Sequence, residues 1–260
     1  SSGYPAKRFL AAQPELKSSY DVVIIGGGGH GLATAYHLAR YYGVRNVAVF
    51  EKDYIGGGNT GRNTAIIRSN YLTPEGVAFY EESVALYRQL SRELDYNILY
   101  SERGHFTLAH TDSALRTSRW RAEVNKHLGV DSELVLRDDL ARLIPQLNLS
   151  EDVRYPVLGA LYHPPGAIAR HDAVAWGYAG RAAELGVEIH QDTTVTDIEI
   201  TDGRVSAVVT DRGRVACGKA VQAVAGASSE VARMAGLKLP IRTIPLQACV
   251  SQPLKPFLDP

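Results

Sequence analysis

The 260-residue sequence carries 28 lysines and arginines against 28 aspartates and glutamates, so its net charge is zero. No basic stripe or charged tail marks a nucleic-acid binder, no apolar run reaches the roughly 20 residues of a membrane-spanning helix, and residues 1–20 lack the apolar segment of a signal peptide. An apolar fraction of 45% is enough for one large domain or two interleaved ones.

In chain order, residues 1–19 read as an extended lead-in. Residues 22–25 are short, apolar and β-branched, like a buried parallel strand. Gly26, Gly28 and Gly31 follow at G-x-G-x-x-G spacing, with Gly29 and His30 between them, and a helix is expected over 32–41. A second apolar run, 47–50, ends on Glu51, 20 residues past Gly31, and Lys52 follows. This is a dinucleotide fingerprint. The first glycine allows the tight turn, the second lets backbone approach a pyrophosphate, and the third lets helix pack on strand. The helix N-terminus offers free N–H groups to the phosphates, and the acid accepts from ribose hydroxyls. Glu51 disfavours a 2′-phosphate by repulsion.

The polar, glycine-rich stretch 56–64 holds Asn59, Gly61, Arg62 and Thr64, and reads as a surface loop or as a loop covering the nucleotide. Ile66 and Ile67 then lead into Arg68 and Tyr71. A helix is expected over 75–94, a strand over 104–109, a helix capped by Asp112 to about 128, a short helix over 137–143, and strand and turn over 157–165. Asp172 is the expected cap of a helix to about 185. A strand over 187–190 precedes a meander over 195–200, 205–210 and 213–217, beginning at Val195. A separate buried strand over 220–224 runs into a second glycine turn at Gly226. Cys217 and Cys249 lie in no metal or redox spacing and read as buried free thiols. The chain opens Ser-Ser-Gly, its only methionine is Met234, and it ends just after a strand-like run, which suggests a fragment.

Strand, glycine turn, helix, acid, Gly-Asn loop, inserted block, meander and Ala-Gly turn, in that order, resemble the D-amino-acid-oxidase-like group of FAD enzymes. Within it, IGGGGHGLATAY, YIGGGNTGRNTAIIRSNY and RHDAVAWGYA resemble the β subunit of heterotetrameric sarcosine oxidase, from about Tyr20 onward. The resemblance implies an α/β fold. A Rossmann-like FAD-binding domain with a central parallel sheet and a β-meander (20–98 and 166–240) would be interleaved with an α+β substrate domain (99–165, resuming at 241–260) that is incomplete here. It implies non-covalent FAD, held by Gly26, Gly28, Gly29, His30, Gly31, Glu51, Lys52, Asn59, Gly61, Arg62, Thr64, Ile66, Val195 and Gly226. It also implies FMN attached through His171, with Arg170 close by. Partner α, γ and δ subunits are implied, with NAD and tetrahydrofolate on the α subunit, in a cytoplasmic assembly with no nucleic-acid or membrane partner and no metal.

The implied reaction is oxidation of the N-methyl group of sarcosine to glycine and formaldehyde, or to methylene-tetrahydrofolate, with peroxide formed. Arg68 would clamp the substrate carboxylate with two parallel N–H···O bonds, and Tyr71 would line the site. On the residues alone, Arg68 is equally an edge charge in solvent and His171 a capping histidine. The sequence departs from the family at Tyr178-Ala179-Gly180-Arg181, where an arginine is expected before the glycine. The family also continues past residue 260 into a further glycine-rich turn and a lysine near the substrate. The alternatives are a relative acting on proline or another N-methyl amino acid, and a flavin-binding fragment or subunit without turnover. A nicotinamide dehydrogenase shares the fingerprint but not the Gly-Asn loop and meander.

Overall fold

A computed structural model describes residues 13–247, 249, 252 and 255. Residues 1–12 of the lead-in and half of the returning segment 241–260 lie outside the described residues. The elements run β1 (Ser19–Ile25), α1 (Gly29–Tyr42), β2 (Val47–Phe50), a 3-10 turn (Asn59–Arg62), β3 (Ile66–Ile67), α2 (Pro74–Glu93), β4 (Ser101–Glu102) and β5 (His105–Ala109). They continue α3 (Asp112–His127), β6 (Glu133–Leu136), α4 (Arg137–Leu143), β7 (Gly159–His163), β8 (Ala167–Ile168), α5 (His171–Glu184) and β9 (Glu188–His190). The meander strands β10 (Val195–Thr201), β11 (Arg204–Thr210) and β12 (Gly213–Gln222) precede a second 3-10 turn (Ala225–Ala227) and α6 (Ser228–Met234). Among the described residues no helix is long and apolar enough to cross a membrane.

The chain divides into two compact units. The first holds the described residues 13–64, 94–96 and 171–247, and the second holds 65–93, 97–170, 249, 252 and 255. The helix α2 lies in the second unit, although the sequence boundaries place it in the first nucleotide segment.

The first unit is built on a six-stranded sheet of order β10-β11-β12-β1-β2-β9. β12, β1, β2 and β9 are parallel, and β10, β11 and β12 form the antiparallel meander. β1 lies in the middle and is fully apolar from Val22 to Ile25, as expected for a strand covered on both faces. Two expected strands, 213–217 and 220–224, are one continuous strand. Ala216 of β12 pairs with Ala207 of β11 on one side and with Ser19 of β1 on the other. Tyr20, Val23, Ile25, Phe50, Val195, Val208 and Val215 pack together in one core cluster.

In the second unit β7 lies between β5 and β6, and β8 lies between β3 and β4, all antiparallel. β6 was not expected from the sequence, because its pattern is three apolar residues beside a helix-like run. Thr111, not Asp112, caps α3: its hydroxyl accepts from the Ala114 N–H at 3.1 Å, and Asp112 sits in the first turn, where its charge suits the dipole. Likewise α5 begins at His171, so Asp172 is a first-turn acid rather than the cap. Cys217 is buried, but Cys249 is exposed rather than the second buried thiol expected.

Candidate functional site

In the first unit the fingerprint folds into a cradle that has no room for side chains. Gly26 follows β1 with φ of 110°, a conformation that L-residues rarely adopt, and its N–H donates to Phe50 O at 2.8 Å. A Cβ on Gly31 would lie 2.0 Å from Gly26 O, and one on Gly27 would lie 2.8 Å from Glu51 Cβ. Gly28 is the N-cap of α1 and offers no side-chain acceptor, so α1 starts three residues earlier than the apolar pattern indicates. The Gly29 N–H donates to Thr60 Oγ1 at 2.9 Å, which ties the 3-10 turn to the helix start. The first helical bond runs from Leu32 to Gly28, so the N–H groups of His30 and Gly31 precede the intrahelical ladder. That is the arrangement an anion takes up at a helix N-terminus.

Glu51 is buried and held from both sides. One carboxylate oxygen accepts from the Gly27 N–H at 2.7 Å and the other from the Asp53 N–H at 3.0 Å. A carboxylate has about four acceptor sites, so two hydroxyl donors still fit. These residues fit a dinucleotide: the open face of the turn is glycine backbone, with an ionisable acceptor at its edge.

The other residues singled out in the sequence are spread around this cradle. His30, Lys52, Asn59, Gly61, Arg62 and Thr64 are exposed. Gly61 must be glycine because a Cβ there would lie 2.6 Å from Gly56 O. The side chain of Val195 is part of the sheet core. Gly226 is exposed in the second 3-10 turn, and its carbonyl accepts from Thr243 Oγ1 at 2.7 Å. His171 is the half-buried first residue of α5, and its Nδ1 is buried with no hydrogen-bond partner among the described residues. An orphaned ring nitrogen at a helix start suits covalent attachment or a ligand contact. Sequence reasoning missed Gly27 and Thr60. The run of four consecutive glycines was the available signal for Gly27, but nothing marked Thr60.

Ile66 and Arg170 belong to the second unit. Ile66 is exposed on β3, and the Arg170 N–H donates to Ile98 O at 2.9 Å. Arg68 and Tyr71 also lie in this unit, in a buried polar cluster. Arg68 Nη1 donates to Asn70 Oδ1 at 3.0 Å, and its guanidinium lies 4.4 Å from the Tyr71 ring centroid. Tyr80 stacks on Tyr71 at 3.9 Å and 17°. Burial pushes the Tyr71 phenol up against the opposing pull of Arg68. Asn125 Nδ2 holds Tyr71 O at 2.7 Å and is itself held by the Ser132 hydroxyl. Ser69, Asn70, Asn125, Ser132 and His163 are all fully buried.

His105 and His163 are cross-strand partners on β5 and β7, so their side chains share one face of that sheet. His163 Nδ1 lies 2.6 Å from Asp131 O, a carbonyl, so Nδ1 carries the proton. Nε2 then accepts from the Ser69 N–H at 3.3 Å. A second proton on Nε2 would face that N–H. Burial, reinforced by Arg68, lowers the proton affinity of both histidines below the ordinary value of 6.5.

A group whose folded value is depressed stabilises above its unfolded value and loses that contribution as pH falls. The stability contribution of His163 should therefore be whole above about pH 6.5 and decline below it. Melting temperatures between pH 7.5 and 5.5 should fall, and His163→Gln should flatten the slope while lowering the plateau. An unchanged slope would remove His163 from the account.

Residues 21–260 match the FAD dependent oxidoreductase family. Sarcosine oxidase subunit beta from an Arthrobacter species is 51% identical over 248 residues, 95% of this chain and 61% of that protein. The structure of L-proline dehydrogenase from P. horikoshii is similar with TM-score 0.79 at 27% identity, covering 87% of this chain and 58% of that one. Glycine oxidase from Bacillus cereus is similar with TM-score 0.71 at 28% identity, covering 83% and 58%. The chain thus spans 61% or less of the length of these relatives. The glycine cradle, the buried Glu51 carboxylate at its edge and the mixed six-stranded sheet agree with this match, and the chain belongs to the FAD dependent oxidoreductase family.

Proposed function

We propose that this chain is the amine-oxidising β subunit of a sarcosine oxidase, using FAD held in the first unit. The observation that carries the reading is Arg68. Its guanidinium is fixed by Asn70 and by the Tyr71 ring, and it makes no ion pair with a carboxylate among the described residues. An arginine held ready in this way suits an amino-acid carboxylate, which it takes with two parallel N–H···O bonds. The 51% identity to a sarcosine oxidase subunit beta supports sarcosine as that amino acid.

Bound FAD would supply a two-electron acceptor for the N-methyl carbon. The chain's residues do the rest. His30 and Gly31 N–H groups receive the pyrophosphate, and Glu51 receives the ribose. Arg68 anchors the carboxylate and so fixes which carbon is presented for oxidation. The positive field of Arg68 and Arg121 disfavours a protonated amine and keeps the nitrogen lone pair available. The imine product hydrolyses to glycine and formaldehyde, or meets tetrahydrofolate, and oxygen is reduced to peroxide. His171 would carry FMN covalently, with Arg170 close to it. The α, γ and δ subunits would complete a cytoplasmic heterotetramer, with NAD and tetrahydrofolate on α. The first unit corresponds to the FAD-binding domain and the second to the substrate domain.

A second reading, oxidation of proline, is favoured by the likeness to L-proline dehydrogenase. The test is anaerobic mixing of the full-length protein, co-produced with its partners, with a panel of amines while flavin absorbance is followed. Sarcosine is expected to bleach the flavin at least tenfold faster than proline. The reverse order would install the second reading, and no bleaching by any amine would leave a flavin-binding subunit without turnover. Mass mapping of the denatured chain should find FMN on the peptide containing His171.

A further inference from the structure

Arg68 is not the only guanidinium on Asn70. Arg121, on α3, donates from Nη2 to Asn70 O at 2.8 Å, while Arg68 holds Asn70 Oδ1. Two cations therefore meet on one fully buried residue. Among the described residues neither arginine makes an ion pair with a carboxylate. Glu81, whose field reaches His163, is exposed. Burial and the charge of Arg68 both weaken the hold of Arg121 on its proton.

The unpaired atoms complete the picture. Asn70 Nδ2, Arg121 Nε and His105 Nδ1 are buried with no hydrogen-bond partner among the described residues. Arg121 Nε can only donate. The Arg68 bond fixes Oδ1 of Asn70 as the acceptor end, so Nδ2 is a donor as well. An unmet buried donor is costly, and more so near a charge, so a cluster of them is rare without a function. The cluster lacks an acceptor and carries excess positive charge, and an anion supplies both.

We propose that Arg121 is a second anion-binding residue, and that Arg68, Asn70 and Arg121 together hold the carboxylate of the amino-acid substrate. This rests on the reading that the second unit receives an amino acid. Arg68 takes the carboxylate in a fork. Asn70 Nδ2 and Arg121 Nε–H supply the side donors, and Arg121 offsets the desolvation of the carboxylate charge. The site then selects a carboxylate over its neutral amide by more than one arginine alone would.

The test is calorimetric binding of (methylthio)acetate, a sarcosine isostere that lacks the amine, and of its neutral amide, to the full-length assembly. Wild type is expected to prefer the acid by at least tenfold. Arg121→Gln should weaken the acid at least tenfold and the amide less than threefold, with flavin content and melting temperature as folding controls. A purely structural role for Arg121 would weaken acid and amide alike, or neither, and either result overturns the proposal. If Arg121→Gln loses its flavin, Arg121→Lys decides. It keeps the charge but loses Nε–H, so acid binding weakened threefold or more supports the proposal and unchanged binding overturns it. If wild type shows no preference for the acid, the reading of the second unit as an amino-acid site fails, independently of Arg121.

Discussion

Gly31→Ala should yield full-length protein without bound FAD and with a much lowered melting temperature. The new methyl carbon would lie 2.0 Å from the Gly26 carbonyl oxygen and 3.4 Å from Ile24 Cγ2. The obstructing atom is backbone in a turn whose positive φ leaves it little freedom, so the helix must move instead of the turn. Overpacking costs about 1–3 kcal/mol where side chains can give, and more here, against a total stability of about 5–15 kcal/mol. Each kcal/mol lowers the midpoint by about 2–4 °C in a domain of this size. Moving α1 also displaces the His30 and Gly31 N–H groups, so flavin content should fall further than stability alone requires. Gly43→Asn is the control. Gly43 has a positive φ of 68° and open space around it, and Asn tolerates that conformation. Flavin content equal to wild type in Gly31→Ala would show that the glycine turn does not set the cofactor's place.

Arg68→Met is the second large effect. Removing one partner of a buried charge pair costs about 2–5 kcal/mol, so kcat/KM for an amino-acid substrate should drop roughly 100-fold or more. An N-methylamine without a carboxylate should lose little. The variant also frees Asn70 Oδ1 and uncovers one face of Tyr71, so some loss of stability is expected with it. Arg68→Lys should rescue poorly, because a point charge replaces a planar fork that both grips Asn70 and stacks on a ring. Equal losses for the acid and the carboxylate-free amine would remove Arg68 as the anchor.

The nucleotide half of the chain was legible because its constraints are local. A strand, three glycines and an acid at fixed spacing are all within about 30 residues of one another, and each has a single physical job. The meander was legible in outline for the same reason, through Asp202-Gly203 and the Asp211 turn. What failed there was continuity. Gly218 and Lys219 read as a break, yet they pass through β12 without one, because parallel pairing to β1 outweighs weak strand propensity. The substrate-side cluster was only half visible. Arg68 and Tyr71 stood three residues apart in sequence, but Arg121 is brought to Asn70 across 51 residues and His163 to Ser69 across 94. No periodicity encodes that convergence. The helix starts were misread by one residue at α3 and by two at α5, where a first-turn aspartate gives the same signal as a cap.

The continuity of β12 has a consequence for how the first unit comes apart. A strand that hydrogen-bonds to the meander on one edge and to β1 on the other ties both to one melting event. The meander cannot fray without loosening the strand that carries the Ala223 carbonyl to within 2.5 Å of the place a Gly26 Cβ would take. The proposed hold on the cofactor's phosphates would therefore be coupled to the folding of an antiparallel appendage, and a lesion at the Asp211 turn should be felt as slower cofactor uptake.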